Sequence, residues 1–326
     1  MRTSRLLLTT SAILVVICVA PERGQGQGCC TVGASSLGGL ESGVQPFRTL
    51  TAGLNYQFNS LTRAFQGRER IDDPLRRVAT VSYLTLQMEL GLAPFVSLLL
   101  SFPYSDKSRE ITVRTGTGDQ QTALFRGTGA GDVTVLAKYQ LISPGIVSPF
   151  ELAVGGGASL PTGSFTQEQD GSQLSIDLQP GTGAVSVIGW MFALRSVPSV
   201  GVTVSAAVQY RYSGTNFDGY RLGDELVVNT GGEYQLTSYL RSALHVRARF
   251  AGQDYANRRV LNATGGTYYD LMPGLTYAEG PSVVRAFGQL PLYRNVRGIQ
   301  LTLSYLLGVE YRYTFDFRTG AAAVTW

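Results

Sequence analysis

Nucleophilic catalysis needs a serine or cysteine beside a base, and this chain has one histidine, His245, to serve as that base. Ser242 precedes it by three positions. Side chains alternate along an extended strand, so an odd separation places the two on opposite faces. One strand therefore cannot supply a Ser–His pair, and no enzyme activity is expected. Asp72 and Asp73 adjoin in a polar stretch that reads as a solvated loop. Of the three cysteines, Cys18 lies in an apolar N-terminal run, and Cys29 and Cys30 are neighbours. A vicinal pair is neither a disulfide framework nor the four ligands of a structural zinc site. A lipid anchor on Cys29, a redox pair, a strained vicinal disulfide and an inert tail all stay open. No metal and no cofactor is expected. Gly127–Gly131 is glycine-rich but precedes a strand, so it reads as a strand entry rather than a phosphate cradle. Pro161-Thr-Gly163 marks a strand end and turn.

What remains is electrostatic chemistry. Arg211, Glu225, Glu233, Arg241, His245, Arg247 and Arg249 all carry the parity of the polar faces of their segments, as Glu310 and Arg312 do of theirs. If Tyr212 pairs with Asp224, Arg211 lies opposite Glu225. A tight turn after Leu236 would set Glu233 opposite Arg241 and Glu225 opposite Arg249. The expectation is an Arg211–Glu225–Arg249 row and a separate Glu233–Arg241 pair, since facing side chains in an antiparallel sheet sit about 4.5–5.5 Å apart at Cβ. His245 and Arg247 would then lie beside Asn229 and Val227 with no facing carboxylate. They are the candidates to touch a passing anion, while the favoured reading of the inner arginines as a group is that they pair with inner carboxylates and brace the wall.

The elements that must position these charges are strands. Tyr305, Leu307, Val309, Tyr311, Tyr313, Phe315 and Phe317 alternate with Gly308, Glu310, Arg312, Thr314 and Asp316, a period of two. The pattern recurs in about twelve segments of about 10–14 residues, near the length a tilted strand needs to cross a bilayer. Connections alternate between short ones (91–94, 143–148, 195–198, 237–238, 279–281) and long ones (59–77, 105–129, 161–180, 213–223, 252–265, 293–299). Outer-membrane barrels show this asymmetry, with the long loops outside. The segment 182–194 departs from the pattern, with Ile188, Trp190 and Phe192 on the supposed inner face.

Composition agrees. Charged residues are 15% of the 326, against about 25% in ordinary soluble domains, yet no mature segment has the ~18 apolar residues of a membrane helix. Tyr56, Tyr83, Tyr104, Tyr139, Tyr210, Tyr212, Tyr234 and Tyr277 fall at strand ends, where interfacial girdles form. The fold expected is all-β: a closed antiparallel transmembrane barrel of twelve strands, give or take two, with a narrow or plugged pore. The net charge of +4 comes from scattered arginines, which gives no reason to expect a nucleic-acid partner.

Arg2 and Arg5 followed by the apolar run 6–20 read as an export signal. The expected organisation is a signal peptide over 1–28, a periplasmic tail over 29–46, the barrel over 47–317 and a C-terminal tail over 318–326. Outer-membrane lipid, the outer-membrane assembly machinery and a small solute are the expected partners.

Several stretches resemble one family. Gly127-Thr-Gly-Ala-Gly-Asp132-Val-Thr-Val-Leu-Ala-Lys138-Tyr-Gln-Leu141 is similar to a signature of outer-membrane proteins linked to meta-pathway phenol degradation. So are Ala153-Val-Gly-Gly-Gly-Ala-Ser-Leu160-Pro161-Thr162-Gly163-Ser-Phe165, Gly181-Thr-Gly183, and the closing strand from Gly298-Ile-Gln-Leu301. The resemblance implies a channel-like transporter barrel, related in role to the long-chain fatty-acid and aromatic-hydrocarbon channels. A structural or adhesive barrel without transport is the alternative, and an outer-membrane hydrolase the least favoured reading. The resemblance brings no catalytic residues, and Cys29-Cys30 lies outside it.

Overall fold

In a computed structural model of the chain, residues 41–114, 120–145 and 149–318 are described. The export signal, Cys29, Cys30 and the tail from 319 onward lie outside the described residues.

The alternating segments form one wall. Its strands are β1 (Thr49–Gly67), β2 (Val78–Ala93), β3 (Val96–Arg114), β4 (Val133–Ile142), β5 (Phe150–Leu160) and β6 (Ser186–Val197). They continue as β7 (Val202–Ser213), β8 (Glu225–Gln235), β9 (Leu240–Ala251), β10 (Gly266–Glu279) and β11 (Ser282–Asp316). Each pairs antiparallel with the next, and β11 pairs back onto β1, so the sheet closes. The last strand has 35 residues, far more than the 10–14 the wall can use. Its residues 282–296 pair with β10 and residues 299–316 with β1, the chain reversing at Gly298, whose φ is 64°. Among the described residues the ring thus has eleven continuous strands occupying twelve places. The loop expected over 293–299 shrinks to this turn, because glycine takes the left-handed backbone without strain.

Closure leaves no unpaired edge in hydrocarbon, and the faces are inverted relative to a soluble protein. On β1, Leu54 and Tyr56 are 47% and 48% exposed, while Asn55, Gln57 and Asn59 are buried. Seven of the eight expected girdle tyrosines are exposed on the outer face. Tyr83 is the exception: odd residues of β2 point inward, and its ring packs against Leu61, Ala79, Val81 and Leu301.

Two of the long expected loops, 59–77 and 105–129, are mostly sheet. β1 runs on to Gly67 and Glu69–Ile71 folds back along it. β3 runs on to Arg114, and Gln120–Ala130 returns beside its upper half, while its lower half pairs with β4 only from Val96 to Ser101. The free edge of Gln120–Ala130 is satisfied by side chains. Gln167 accepts from Thr128 N and donates to Thr128 O; Gln169 accepts from Arg126 N and donates to Leu124 O. Two amides thus stand in for a strand backbone, covering an edge that would otherwise be open to pairing.

The glycine-rich pieces meet at one carboxylate. Asp132 accepts from Gly163 N at 3.0 Å and from Thr182 N and Oγ1 at 2.8 and 2.6 Å. A Cβ on Gly163 would come within 2.8 Å of Gly131 and Gly181, so only glycine permits that approach. This node holds the segment after β5 over the barrel mouth. There Lys107 donates to Gln179 O at 2.6 Å, and Arg109 to Asp177 and Ser175 at 2.7 and 2.8 Å.

Candidate functional site: the barrel interior

Inward parity brings most of the charged candidates onto one side of the lumen. Arg211 faces Glu225 and donates to it at 2.6 Å. Across β8 and β9 the register differs from expectation by two residues: Glu225 faces Ala251 and Gln235 faces Arg241. The cause is the turn. Leu236 N donates to Leu240 O, and Thr237 Oγ1 accepts from the amides of Tyr239 and Leu240, so the loop is wider than the tight turn expected. A shift of two preserves the face. Arg249–Glu225 and Arg241–Glu233 therefore survive as diagonal contacts, at 3.5 and 3.3 Å. Glu310 is buried, 3.6 Å from Arg312 on its own strand.

The expectation for His245 and Arg247 needs correcting. His245 faces Gly231, and Arg247 faces Asn229. On its other flank Arg247 faces Asp270 of β10, so a carboxylate does stand opposite it. That carboxylate is already held by Arg294 and by Gln289, the latter at 2.9 Å. Arg247 is buried, and its Nε has no hydrogen-bond partner among the described residues. His245 lies across β8, where a Cβ on Gly231 would sit 2.6 Å from the imidazole. The ring reaches Ser205 of β7, Nε2 to Oγ at 3.4 Å. A serine from another strand thus meets the histidine, and Nδ1, which a triad would orient through an acceptor, has no hydrogen-bond partner among the described residues.

Sequence reasoning missed the segment that crosses this interior. Glu41 accepts from Asn229 Nδ2 and from Arg285 Nη1, both at 2.6 Å. On the opposite side Lys138 donates to the carbonyls of Ser42 and Gly43 at 3.1 and 3.2 Å and to Glu89 at 2.9 Å. Val44 N donates to Glu151 at 3.3 Å, and Thr51 Oγ1 to Gln45 at 3.1 Å. Residues 41–46 therefore run up inside the wall, bonded to β1, β4, β5, β8 and β11. Alternation in the strands carries no signal for this, because the segment has no period of its own.

Part of the inner face is apolar. Leu99, Leu136, Ala153, Ile188, Trp190, Phe192, Ala207 and Val227 face inward as one buried cluster from β3 to β8, with Val44 packed on it. From Ser186 onward the irregular segment is therefore a regular strand whose inner face is hydrophobic. The Trp190 and Phe192 rings stack with centroids 6.0 Å apart. Glu41, Arg247, Arg285, Phe287 and Glu310 border a cavity of about 10 Å³, room for one water and no solute.

The model of the family described as the MetA-pathway of phenol degradation matches residues 77–288. No curated protein sequence matches the chain. Among solved structures, an outer membrane channel from Pseudomonas putida F1 superposes with a TM-score of 0.64 at 13% identity, over 85% of this chain and 98% of that one. The TodX monoaromatic hydrocarbon channel gives a TM-score of 0.44 at 10% identity, over 84% and 91% of the chains. The beta domain of the Bordetella autotransporter Brka gives 0.41 at 14%, over 81% and 99%. The Pseudomonas putida likeness is one of fold: an outer-membrane β-barrel.

Proposed function

The chain belongs to the MetA-pathway phenol-degradation family, and from that premise we propose that it is an outer-membrane channel for small apolar and aromatic solutes. The observation that carries this reading is the inward apolar wall around Trp190 and Phe192. A barrel built to pass hydrophilic solutes has a polar interior throughout; a buried apolar strip facing a lumen offers binding to hydrocarbon surface, worth about 25 cal/mol per Å² removed from water. The inner arginines pair with Glu225, Glu233, Asp270 and Glu41, which supports bracing as their main role. The long-loop end faces outward, and the paired first and last residues of the wall, Thr49 and Asp316, lie at the periplasmic end. Lipid around the exposed leucines and tyrosines, the barrel-assembly machinery and the solute are its partners.

Liposomes carrying the full chain test this. Toluene and phenol should enter faster than through protein-free vesicles, and Trp190→Glu should abolish the difference. Entry equal to that of protein-free vesicles for both solutes would leave the structural, non-transporting barrel as the reading. Cleavage of intact cells by protease at the short turns, with the 105–129 hairpin spared, would reverse the orientation.

A further inference from the structure

We propose that residues 41–44 occupy the solute's own binding site and imitate it, so that the preferred solute is a small amphipathic carboxylate. This rests on the channel reading and adds a chemical class to it. The segment has a carboxylate at one end and an apolar side chain at the other, at most about 10 Å apart along the chain. Each end meets a matching surface. Glu41 takes one bond from Asn229 and one from Arg285, both at 2.6 Å, while Val44 packs on the cluster that includes Trp190 and Phe192. Between the ends, glycine at 43 keeps the chain slim, since a Cβ there would lie 1.8 Å from a Glu151 oxygen.

A second observation points to a ligand at the carboxylate end. Arg247 is buried, makes no hydrogen bond or ion pair among the described residues, and borders the same cavity as Glu41 and Arg285. Its neighbouring carboxylates are committed elsewhere: Glu225 to Arg211 and Arg249, Asp270 to Arg294, Glu41 to Arg285. A carboxylate placed where Glu41 lies would have Arg285 and Asn229 as donors, and a free one, unlike a tethered side chain, can shift to include Arg247. Charge-assisted bonds of this kind are about twice as strong as neutral ones. An aromatic or short aliphatic tail on such a carboxylate would take the place of Val44. The segment thus acts as an internal competitor, and the solute must displace it.

The test uses the full chain in vesicles with two probes of one shape: benzoate, which carries the charge, and benzyl alcohol, which does not. Glu41→Gln weakens the competitor and should raise benzoate affinity about tenfold, because the apparent affinity scales with the fraction of open sites. Benzyl alcohol should change far less. Arg247→Gln in the otherwise native chain should lower the benzoate-to-benzyl alcohol ratio, and Glu41→Asp should behave as the native chain. Folding of every variant is read from the heat-dependent gel mobility of the barrel. If benzyl alcohol enters but the ratio responds to neither Glu41→Gln nor Arg247→Gln, the imitation is wrong and the channel stands. If neither probe enters through any folded variant, the channel reading falls and this inference with it.

Discussion

The ammonium of Lys138 lies 4.9 Å from the ring centroid of Trp190, and that contact joins the charged and apolar parts of the inner face. On its other sides the same ammonium holds Glu89 and the carbonyls of Ser42 and Gly43. Both members of the Lys138–Glu89 pair are almost wholly buried, with side chains 0% and 4% exposed. Lys138→Met should destabilise the barrel by about 3–5 kcal/mol, because it removes the cation from a buried carboxylate that keeps the Ser97 hydroxyl as a neutral donor. The Lys138→Met/Glu89→Gln double variant should recover most of that loss. The temperature at which the barrel loses its folded gel mobility measures both, and equal losses in single and double variants would refute the pairing.

Gly231 and Gly232 are adjacent yet should respond oppositely to alanine. A Cβ on Gly231 would lie 2.3 Å from Leu244 O and 2.6 Å from the His245 ring, so Gly231→Ala should cost about 1–3 kcal/mol by overpacking. On Gly232 the nearest atoms are 3.5 and 3.7 Å away, ordinary contact, and the entropy removed from the unfolded chain favours alanine. Denaturant unfolding in lipid should rank Gly232→Ala at or above the native chain and Gly231→Ala below it. The reverse ranking would show that His245 does not lie across β8.

Asp132 fixes the segment over the barrel mouth through Gly163 and Thr182. Asp132→Ala should free that segment while leaving the wall intact, since Asp132 lies between Ala130 and β4 rather than within a paired stretch. Cleavage after Glu168 by a glutamate-specific protease should then accelerate several-fold, with the barrel still running as folded on gels. An unchanged rate would mean that the Lys107 and Arg109 contacts hold the segment by themselves.

What could be read from the sequence, and what could not, follows from the physics of a period of two. Alternation fixes a face, and so it placed Ile188, Trp190 and Phe192 inward even where the result looked irregular. It does not fix register, which the turn sets; hence Glu225 was expected opposite Arg249 and stands diagonal to it. Each strand also has two neighbours, and following only the β8 side of Arg247 missed Asp270 on β10. Residues 41–46 carry no period, and Glu41 gave no sign of its partners on β8 and β11. The family-like glycines were legible as turns, while their meeting at Asp132 required the third dimension.

Acid should loosen one turn at the long-loop end before the wall. Asp73 accepts from Arg77 N and Nε at 2.8 Å and from Nη2 at 3.0 Å. Burial pushes its pKa up, but the Arg77 side-chain and backbone bonds outweigh this and hold the carboxyl below its ordinary value. A depressed carboxylate pKa means that the stabilisation is complete above the ordinary value of about 3.9 and is lost as pH falls through the folded one. Pepsin cleavage beside Leu75 should therefore rise toward that of Asp73→Asn as pH falls below about 4. A native chain cleaved as fast as the variant at pH 4 and above would contradict the role given to Arg77.

Glu225 neutralises two arginines at once, Arg211 at 2.6 Å and Arg249 at 3.5 Å. The Arg249 guanidinium also lies 4.0 Å from the Tyr268 ring centroid, which keeps its charge in the lumen when the carboxylate is gone. Glu225→Gln should accordingly turn any residual ionic conductance toward anions, read as a shift of reversal potential in a potassium chloride gradient. Arg211→Gln in the same background should reverse part of that shift. Stability should fall less than for Lys138→Met, because the Arg211 side chain is 21% exposed and water can replace part of what it loses. A shift toward cations, or none, would show that these arginines do not face the permeation path.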